Sequence, residues 1–379
     1  MELAKYKLGD IVTLLNGRAY LMPELQDSGK YRILRVGNLS GGNDSWYYSD
    51  MELDENKYCE NGDLLYAWAC NFGPHIWREE KVIYHYHIWK LVENKEKVDR
   101  TYLYYYLLHQ TPFYLGGVNG ATMVHITKKN MEKKTVYIPS SLNVQHRIAS
   151  ILSTYDSLIE NNTKRIRLLE KMAENLYKEW FVRFRFPGHE NVEMENGLPK
   201  GWKRGSLSDV CEFKRGKNIT SSEMQEGNVP VISAGLEPSG YHSCSNVRGV
   251  NVTMSSSGAN AGYIAIHYSD IWAADCSYIE ESTTGNIYYV YELLNNIRTV
   301  INNFQRGAAQ PHVYPKDVNR IKLILPSKEL MLIANGRLEI MHKEIYNLQK
   351  QNSLLARQRD LLLPRLMSGK LEVKEELLE

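Results

Sequence analysis

The sequence predicts an α+β protein: two mixed α/β globules in tandem, separated by two long helices that pair as an antiparallel coiled coil with pseudo-two-fold symmetry. Three observations predict it. First, the chain is written twice. Gly120-Ala121-Thr122-Met123-Val124-His125 returns 187 residues later as Gly307-Ala308-Ala309-Gln310-Pro311-His312. At the same offset Lys129 meets Lys316, Pro139 meets Pro326, and Tyr102, Tyr104 and Leu107 meet Tyr289, Tyr291 and Leu294. Second, a long Gly-poor stretch with heptad spacing follows each copy. Third, only two copies exist, which argues against a solenoid, because stacked repeats need about three or more.

The first globule, residues 1–144, mixes short β-like runs such as Lys81–Lys90 with Gly-, Asn- and Ser-rich turns such as Ser40–Ser45. Asp99 or Thr101 is placed to cap a helix through Tyr102–Gln110, and Val136–Pro139 reads as a last strand stopped by proline.

Residues 145–186 then form a long spacer helix. Ile148, Leu152, Tyr155, Ile159, Asn162, Ile166, Leu169, Ala173, Leu176 and Trp180 recur in steps of four and three, a heptad seam. A helix of some 38 residues is roughly 55–60 Å long. Asn162 interrupts the apolar seam. Two readings stay open: a buried polar residue that fixes register, or an edge position facing water.

Pro187-Gly188 ends the helix, and a polar linker occupies 187–200. The second globule, 201–328, repeats the first. Leu8, Asp10, Val12 and Gly17 lie 199 residues before Leu207, Asp209, Cys211 and Gly216. The offset later shrinks to 187, so the first globule carries an insertion between these anchors. The second spacer helix, 329–367, has the seam Leu338, Met341, Ile345, Leu348, Asn352, Leu355, Leu362 and Leu366, with Arg359 filling one step. Pro364 is expected to kink its last turns. An acidic tail, 368–379, follows. Antiparallel pairing of the two helices would throw the globules to opposite ends.

Composition excludes several classes. No apolar run is long enough for a membrane span, and the first residues carry no apolar signal core, so no membrane is expected. The cysteines at 59, 70, 211, 244 and 276 are scattered, without a Cys-x-x-Cys pair, which argues against a disulfide framework and a zinc cluster. A cytoplasmic home is the simplest. The net charge of +2 neither demands nor excludes nucleic acid. Tyrosine outnumbers phenylalanine, 26 to 7, which reads mainly as half-buried core filling, with contact of some tyrosines to bases or sugars as the alternative.

Enzyme motifs are missing. There is no G-x-x-x-x-G-K-[ST] loop, no G-x-G-x-x-G after a strand, no G-x-S-x-G elbow and no H-E-x-x-H helix. An adenine methyltransferase would show an Asn/Asp-Pro-Pro-aromatic tetrapeptide; Asn71-Phe72-Gly73-Pro74 does not fit. Ser255–Gly258 lacks a base placed by sequence. His85 and His87 share a strand face, but no nearby Cys or acid completes a metal set, so a structural or polar-contact role is preferred. No metal or catalytic residue is expected on this chain.

The repeated loops have the composition of a binding surface. The first offers Asn119, Thr122 and His125 followed by Lys128 and Lys129; the second offers Gln305, Arg306, Gln310 and His312 followed by Lys316. Amides and Arg read base edges, while Lys holds phosphates. Arg18, Arg35 and Asn38 in the first globule, and Arg215, Lys217, Ser256 and Asn260 in the second, complete the candidate DNA-binding set. The alternative for any one of them is a solvated polar face beside a turn.

These features together resemble the specificity (S) subunit of type I restriction–modification enzymes. The residues that carry the resemblance are Gln145-His146-Arg147-Ile148-Ala149 opening the first long helix and Leu176-Tyr177-Lys178-Glu179-Trp180-Phe181 near its end. Leu198-Pro199-Lys200-Gly201-Trp202 opens the second globule, and Leu361 through Gly369 closes the second helix. The first copy lacks that Leu-Pro-x-Gly-Trp opening; Leu3 takes the place of Trp202.

The resemblance implies two target-recognition domains, each reading half of a split, asymmetric sequence in double-stranded DNA. The helix pair would be the ruler for the unread spacer and the docking surface for two methyltransferase (M) subunits. Restriction/translocase (R) subunits would join for cleavage. The chain would bind no cofactor itself: S-adenosylmethionine would belong to the methyltransferase, and ATP and Mg to the restriction subunit. The half-sites of a two-domain reader lie roughly 34–36 Å apart when separated by one turn. Two other functions stay open: the recognition subunit of a fused methyltransferase–nuclease system, and a coiled-coil adaptor with two protein-binding globules.

The outer faces of the helices, with Leu158, Leu168, Met172 and Tyr177, are expected to need partners to cover them.

Overall fold

The computed structural model describes residues 2–39, 45–115, 126–307 and 309–373. The chain folds as two compact units, Met1–Glu160 with Ser353–Glu379, and Asn161–Asn352. Each unit therefore holds one globule, the near part of one long helix and the far part of the other.

In the first unit, Leu3–Lys7 runs antiparallel to Thr135–Pro139, closing the globule's beginning on its end. A four-stranded antiparallel sheet follows, in the order Val12–Asn16, Ile88–Glu93, Leu64–Ala67, Gly73–Ile76. Leu64–Ala67 is buried on both faces, which explains an unbroken apolar run where a half-exposed strand would alternate. A second sheet has the order Tyr47–Ser49, Tyr31–Leu34, Val82–Tyr84, Tyr58–Cys59, with Ile33 parallel to Ile83. The run Lys81–Lys90 is thus two strands in two sheets, because the chain turns at His85–His87.

The helix Arg100–Leu115 is capped by Asp99, whose carboxylate accepts from the Tyr102 amide at 2.7 Å. Its buried face, Tyr102, Leu103, Tyr106 and Leu107, shares a core with Leu14, Tyr66, Trp89, Ile148 and Leu152. Each fully buried Leu or Ile in such a core contributes on the order of 2 kcal/mol.

The second unit has the same plan. Lys203–Ser206 pairs antiparallel with Lys322–Leu325. The larger sheet has the order Lys214–Arg215, Cys276–Glu280, Asn251–Ser255, Ile264–His267. The smaller has Gly240–His242, Val229–Ile232, Trp272–Ala273, with Val231 parallel to Trp272. The strand Tyr58–Cys59 has no counterpart in this sheet, and it accounts for part of the insertion that the shrinking offset requires.

The long helices span Leu142–Tyr177 and Lys328–Met367. The first is shorter than the expected 145–186, because Lys178–Val182 winds as a π turn. That turn directs Trp180 and Phe181 into the second core, where Phe181, Phe184 and Phe186 gather around Trp202. Tyr177, expected on an outer face, is buried against Tyr289 and Phe181, because here the helix lies on the globule and buries a wider face.

Helix pairing occurs within each unit. In the first, Arg359 bonds to Asp156, and Leu363, Leu366 and Met367 join Ile148 and Leu152. In the second, Asn162 donates to Gln351 at 3.4 Å, Asn352 donates to Thr163 at 3.3 Å, and Arg165 bonds to Glu344 at 2.7 Å. Rising numbers on one helix meet falling numbers on the other, so the pairing is antiparallel. Ile148, Leu152, Asn162, Leu338, Ile345 and Leu348 are buried. Ile159, Ile166, Leu169, Leu176, Met341, Asn352, Leu355 and Leu362 are half-buried. Asn162 is therefore inside the seam rather than at a wet edge. Leu158, Leu168, Met172, Ile340, Leu354 and Leu361 remain exposed.

Candidate nucleic-acid interface

In the second unit, the loop after strand Asn251–Ser255 and the repeated loop are bonded together. The amide of Gly258, whose φ of +74° suits glycine, donates to Pro311 O at 3.0 Å. Val313 N donates to Ser256 O at 3.0 Å, and Arg306 and His312 exchange backbone bonds at 2.9 and 2.8 Å. Ser256, Asn260, Gln305, Arg306, Gln310 and His312 thus lie in one bonded loop pair.

Their side chains are used unequally. Gln305 Nε2 donates to Ala261 O at 2.8 Å, which holds the loop. Ser256 is buried. Asn260 is half-buried. Arg306 pairs with Asp317 at 2.9 Å while its side chain stays 62% exposed. His312 stacks on Tyr314 with centroids 6.3 Å apart. Gln310 and Lys316 are exposed. Arg215 and Lys217 are exposed beside the segment Ala273–Cys276, to which Gly216 N and Lys217 N donate.

In the first unit, Asn119, Thr122 and His125 lie outside the described residues. Lys129 is exposed, and Lys128 is near Glu132 at 3.7 Å. Arg18 makes two bonds to Glu24, at 3.0 and 2.6 Å, and sits over the Tyr20 ring. The Arg18 guanidinium holds the Glu24 carboxyl below its ordinary value. Arg35 lies over the Tyr47 ring at 4.4 Å and donates to Ser45 O at 3.3 Å. Asn38 accepts from Arg35 N and donates to Ser45 O, both at 3.1 Å, so it shapes the loop.

Sequence reasoning named His85 and His87 but missed Trp68 and Tyr86, which join them in a ring cluster at the crossing between the two sheets. Trp68 Nε1 donates to Tyr86 O at 2.8 Å, and Trp68 packs edge-on against His87 at 5.1 Å. His85 and Tyr86 add rings at 4.4 Å centroid distance. Burial, helped by His87 and Arg35, lowers the His85 pKa to about 4. In the second unit Ser257 Oγ donates to Asp275 at 2.5 Å. The two points correspond through the strand registers, which put Ala67 on Ser255 and Ile88 on Cys276, an offset of 188 that comes from comparing the two sheets.

Among the described residues, no group of three or more His, Cys, Asp or Glu is placed to hold a metal, and no helix is long and apolar enough to cross a membrane. Burial pushes the Cys211 and Cys276 thiols up to about 12, so neither is a ready thiolate nucleophile.

The family described as Type I restriction modification DNA specificity domain matches residues 2–171 and 199–351. The type I restriction enzyme MjaIX specificity subunit of Methanocaldococcus jannaschii is 26% identical over 307 residues, covering 74% of this chain and 71% of the relative. A putative type I specificity subunit of Mycoplasma genitalium, S.MgeORF438P, is 25% identical over 275 residues, 71% of each chain. The crystal structure of a type I restriction–modification system S subunit from M. genitalium shares the fold, with a TM-score of 0.63 at 19% identity, covering 97% of this chain and 96% of that one. With both of its globules matched, the chain belongs to the type I restriction–modification DNA specificity family.

Proposed function

We propose that this chain is the non-catalytic subunit that gives a type I restriction–modification complex its DNA sequence. Each globule reads one half of a split target in double-stranded DNA, and the helix pair sets the unread spacer. The observation that carries this reading is one topology built twice with different polar side chains on matching loops. Two identical readers would demand a repeated half-site. Two readers that share a frame and differ in loops suit an asymmetric one.

The exposed helix residues Leu158, Leu168, Met172, Ile340, Leu354 and Leu361 support docking of two methyltransferase subunits, since large apolar side chains on a helix face favour a partner. Those subunits would bring S-adenosylmethionine and flip an adenine from the duplex. Restriction subunits would bring ATP and Mg. The complex would work in the cytoplasm. Near-neutral charge on this chain fits an assembly in which partners hold many of the phosphates.

The test is to co-express the chain with its neighbouring methyltransferase in a methylation-free host and map methyladenine. A split, asymmetric motif with one modified adenine in each half is the expected result. A stable complex that adds no methylation would shift the reading to a protein-binding adaptor.

A further inference from the structure

The two units carry the same crossing between sheets and fill it with opposite chemistry. Ala67 pairs with Ile88 in the first unit, and Ser255 pairs with Cys276 in the second. Just beyond these pairs, Trp68 N donates to His87 O at 3.1 Å in the first unit, whereas in the second Ser256 O accepts from Val313 N and Ser257 reaches Asp275. In the first unit this point is a ring cluster: Trp68, His85, Tyr86 and His87, with Tyr86 39% exposed at the tip. In the second it is a hydroxyl on a carboxylate, Ser257 on Asp275. Around it stand the backbone rungs Ser257–His312 and Arg306–His312. The strand registers on either side of the crossing are kept, while the first crossing, His85–His87, is one residue longer than the second, Ala274-Asp275, and its side-chain chemistry differs.

We infer that this crossing is the specificity-determining point of each domain: Tyr86 and His87 read one half-site, and Asp275, positioned by the buried Ser257, reads the other. The inference rests on the reading of the globules as DNA readers and names where in each globule a base is discriminated. A shared frame delivers both loop pairs to equivalent places on a duplex, so a difference there becomes a difference in sequence. A carboxylate accepts only, which matches a base edge that offers an amino group in the major groove, as cytosine N4 does. Tyr and His rings offer apolar faces for a thymine methyl group and a ring N–H for an acceptor.

The experiment is methylome mapping of the full chain with its methyltransferase, comparing wild type with Asp275→Asn, Ser257→Ala, Tyr86→Ala and His87→Gln. Tyr86→Ala removes an exposed ring and leaves the backbone carbonyl that holds Trp68, so it preserves the fold if the change at the buried Ser257 does not. Asp275→Asn or Ser257→Ala should change one base preference in one half-site by about tenfold, with the spacer and the other half intact. Asn, which pairs with adenine, should move that base toward adenine. Tyr86→Ala or His87→Gln should act only on the opposite half. If all four variants retain every wild-type base preference on the same split motif, or if both pairs alter the same half, the inference is overturned. Wild type giving no split motif would instead overturn the reading beneath it.

Discussion

Gly17 and Gly216 hold the same position in their two domains, and each lets a backbone pass where a side chain would collide. A Cβ on Gly17 would lie 2.4 Å from the carbonyl oxygens of both Tyr84 and His85. On Gly216 it would lie 2.4 Å from Ala274 O and 2.6 Å from Ala273 O. Both glycines face the segment where the chain crosses from one sheet to the other.

Gly17→Ala and Gly216→Ala should therefore each destabilise their own domain by about 3 kcal/mol, since backbone cannot yield as a flexible side chain can. Hydrogen-exchange protection should fall in the substituted domain and stay near wild type in the other. Equal loss in both domains would mean that the two fold as one cooperative unit.

His267 should make the second domain sensitive to acid. Burial lowers its pKa from 6.5 to about 4, and its Nε2 lies 2.8 Å from Thr253 Oγ1. Between these values the unfolded chain binds a proton that the folded chain refuses. Stability should thus fall as pH drops from about 6.5 toward about 4 and be unaffected by this group near pH 7. Urea midpoints measured at pH 7, 5 and 4 should show a shallower acid loss in His267→Gln. An unchanged slope would mean that another group governs it.

The helix faces should tolerate charge in the isolated chain and not in the complex. Leu168 is 64% and Ile340 is 72% exposed. Leu168→Glu and Ile340→Glu should alter the melting midpoint little, because exposed substitutions cost about 0.5 kcal/mol or less. Co-purification with the methyltransferase should drop at least tenfold. Undiminished capture by both variants would place docking elsewhere.

The long helices and the duplication were legible in the sequence because heptad spacing and repeated residues are local signals. A cap at Asp99 or Thr101, which the structure resolves to Asp99, and a closing strand at Val136–Pro139, which begins one residue earlier, were legible for the same reason. Lys81–Lys90 was not: alternating apolar residues look alike whether a strand stays in one sheet or changes sheets at His85–His87. Tyr177 was misplaced because the heptad pattern assumes a helix partner, whereas this part of the helix rests on Tyr289 of a globule. Among site residues, type alone could not separate Arg18, bonded to Glu24, from Lys217, which stands exposed. Tyr86 and Asp275 were hidden because their importance depends on comparing two sheets, not on any motif.

The pairing of Leu3–Lys7 with Thr135–Pro139, and of Lys203–Ser206 with Lys322–Leu325, brings the two ends of each globule side by side. A module whose ends meet can be cut out and replaced without stretching the chain around it. One recombination event that exchanged residues 203–325 for another module with the same closing strands would leave the helices untouched. If each globule reads half of a split target, as proposed, the lineage would inherit a new half of its address in a single step, and keep the old half and the old spacing.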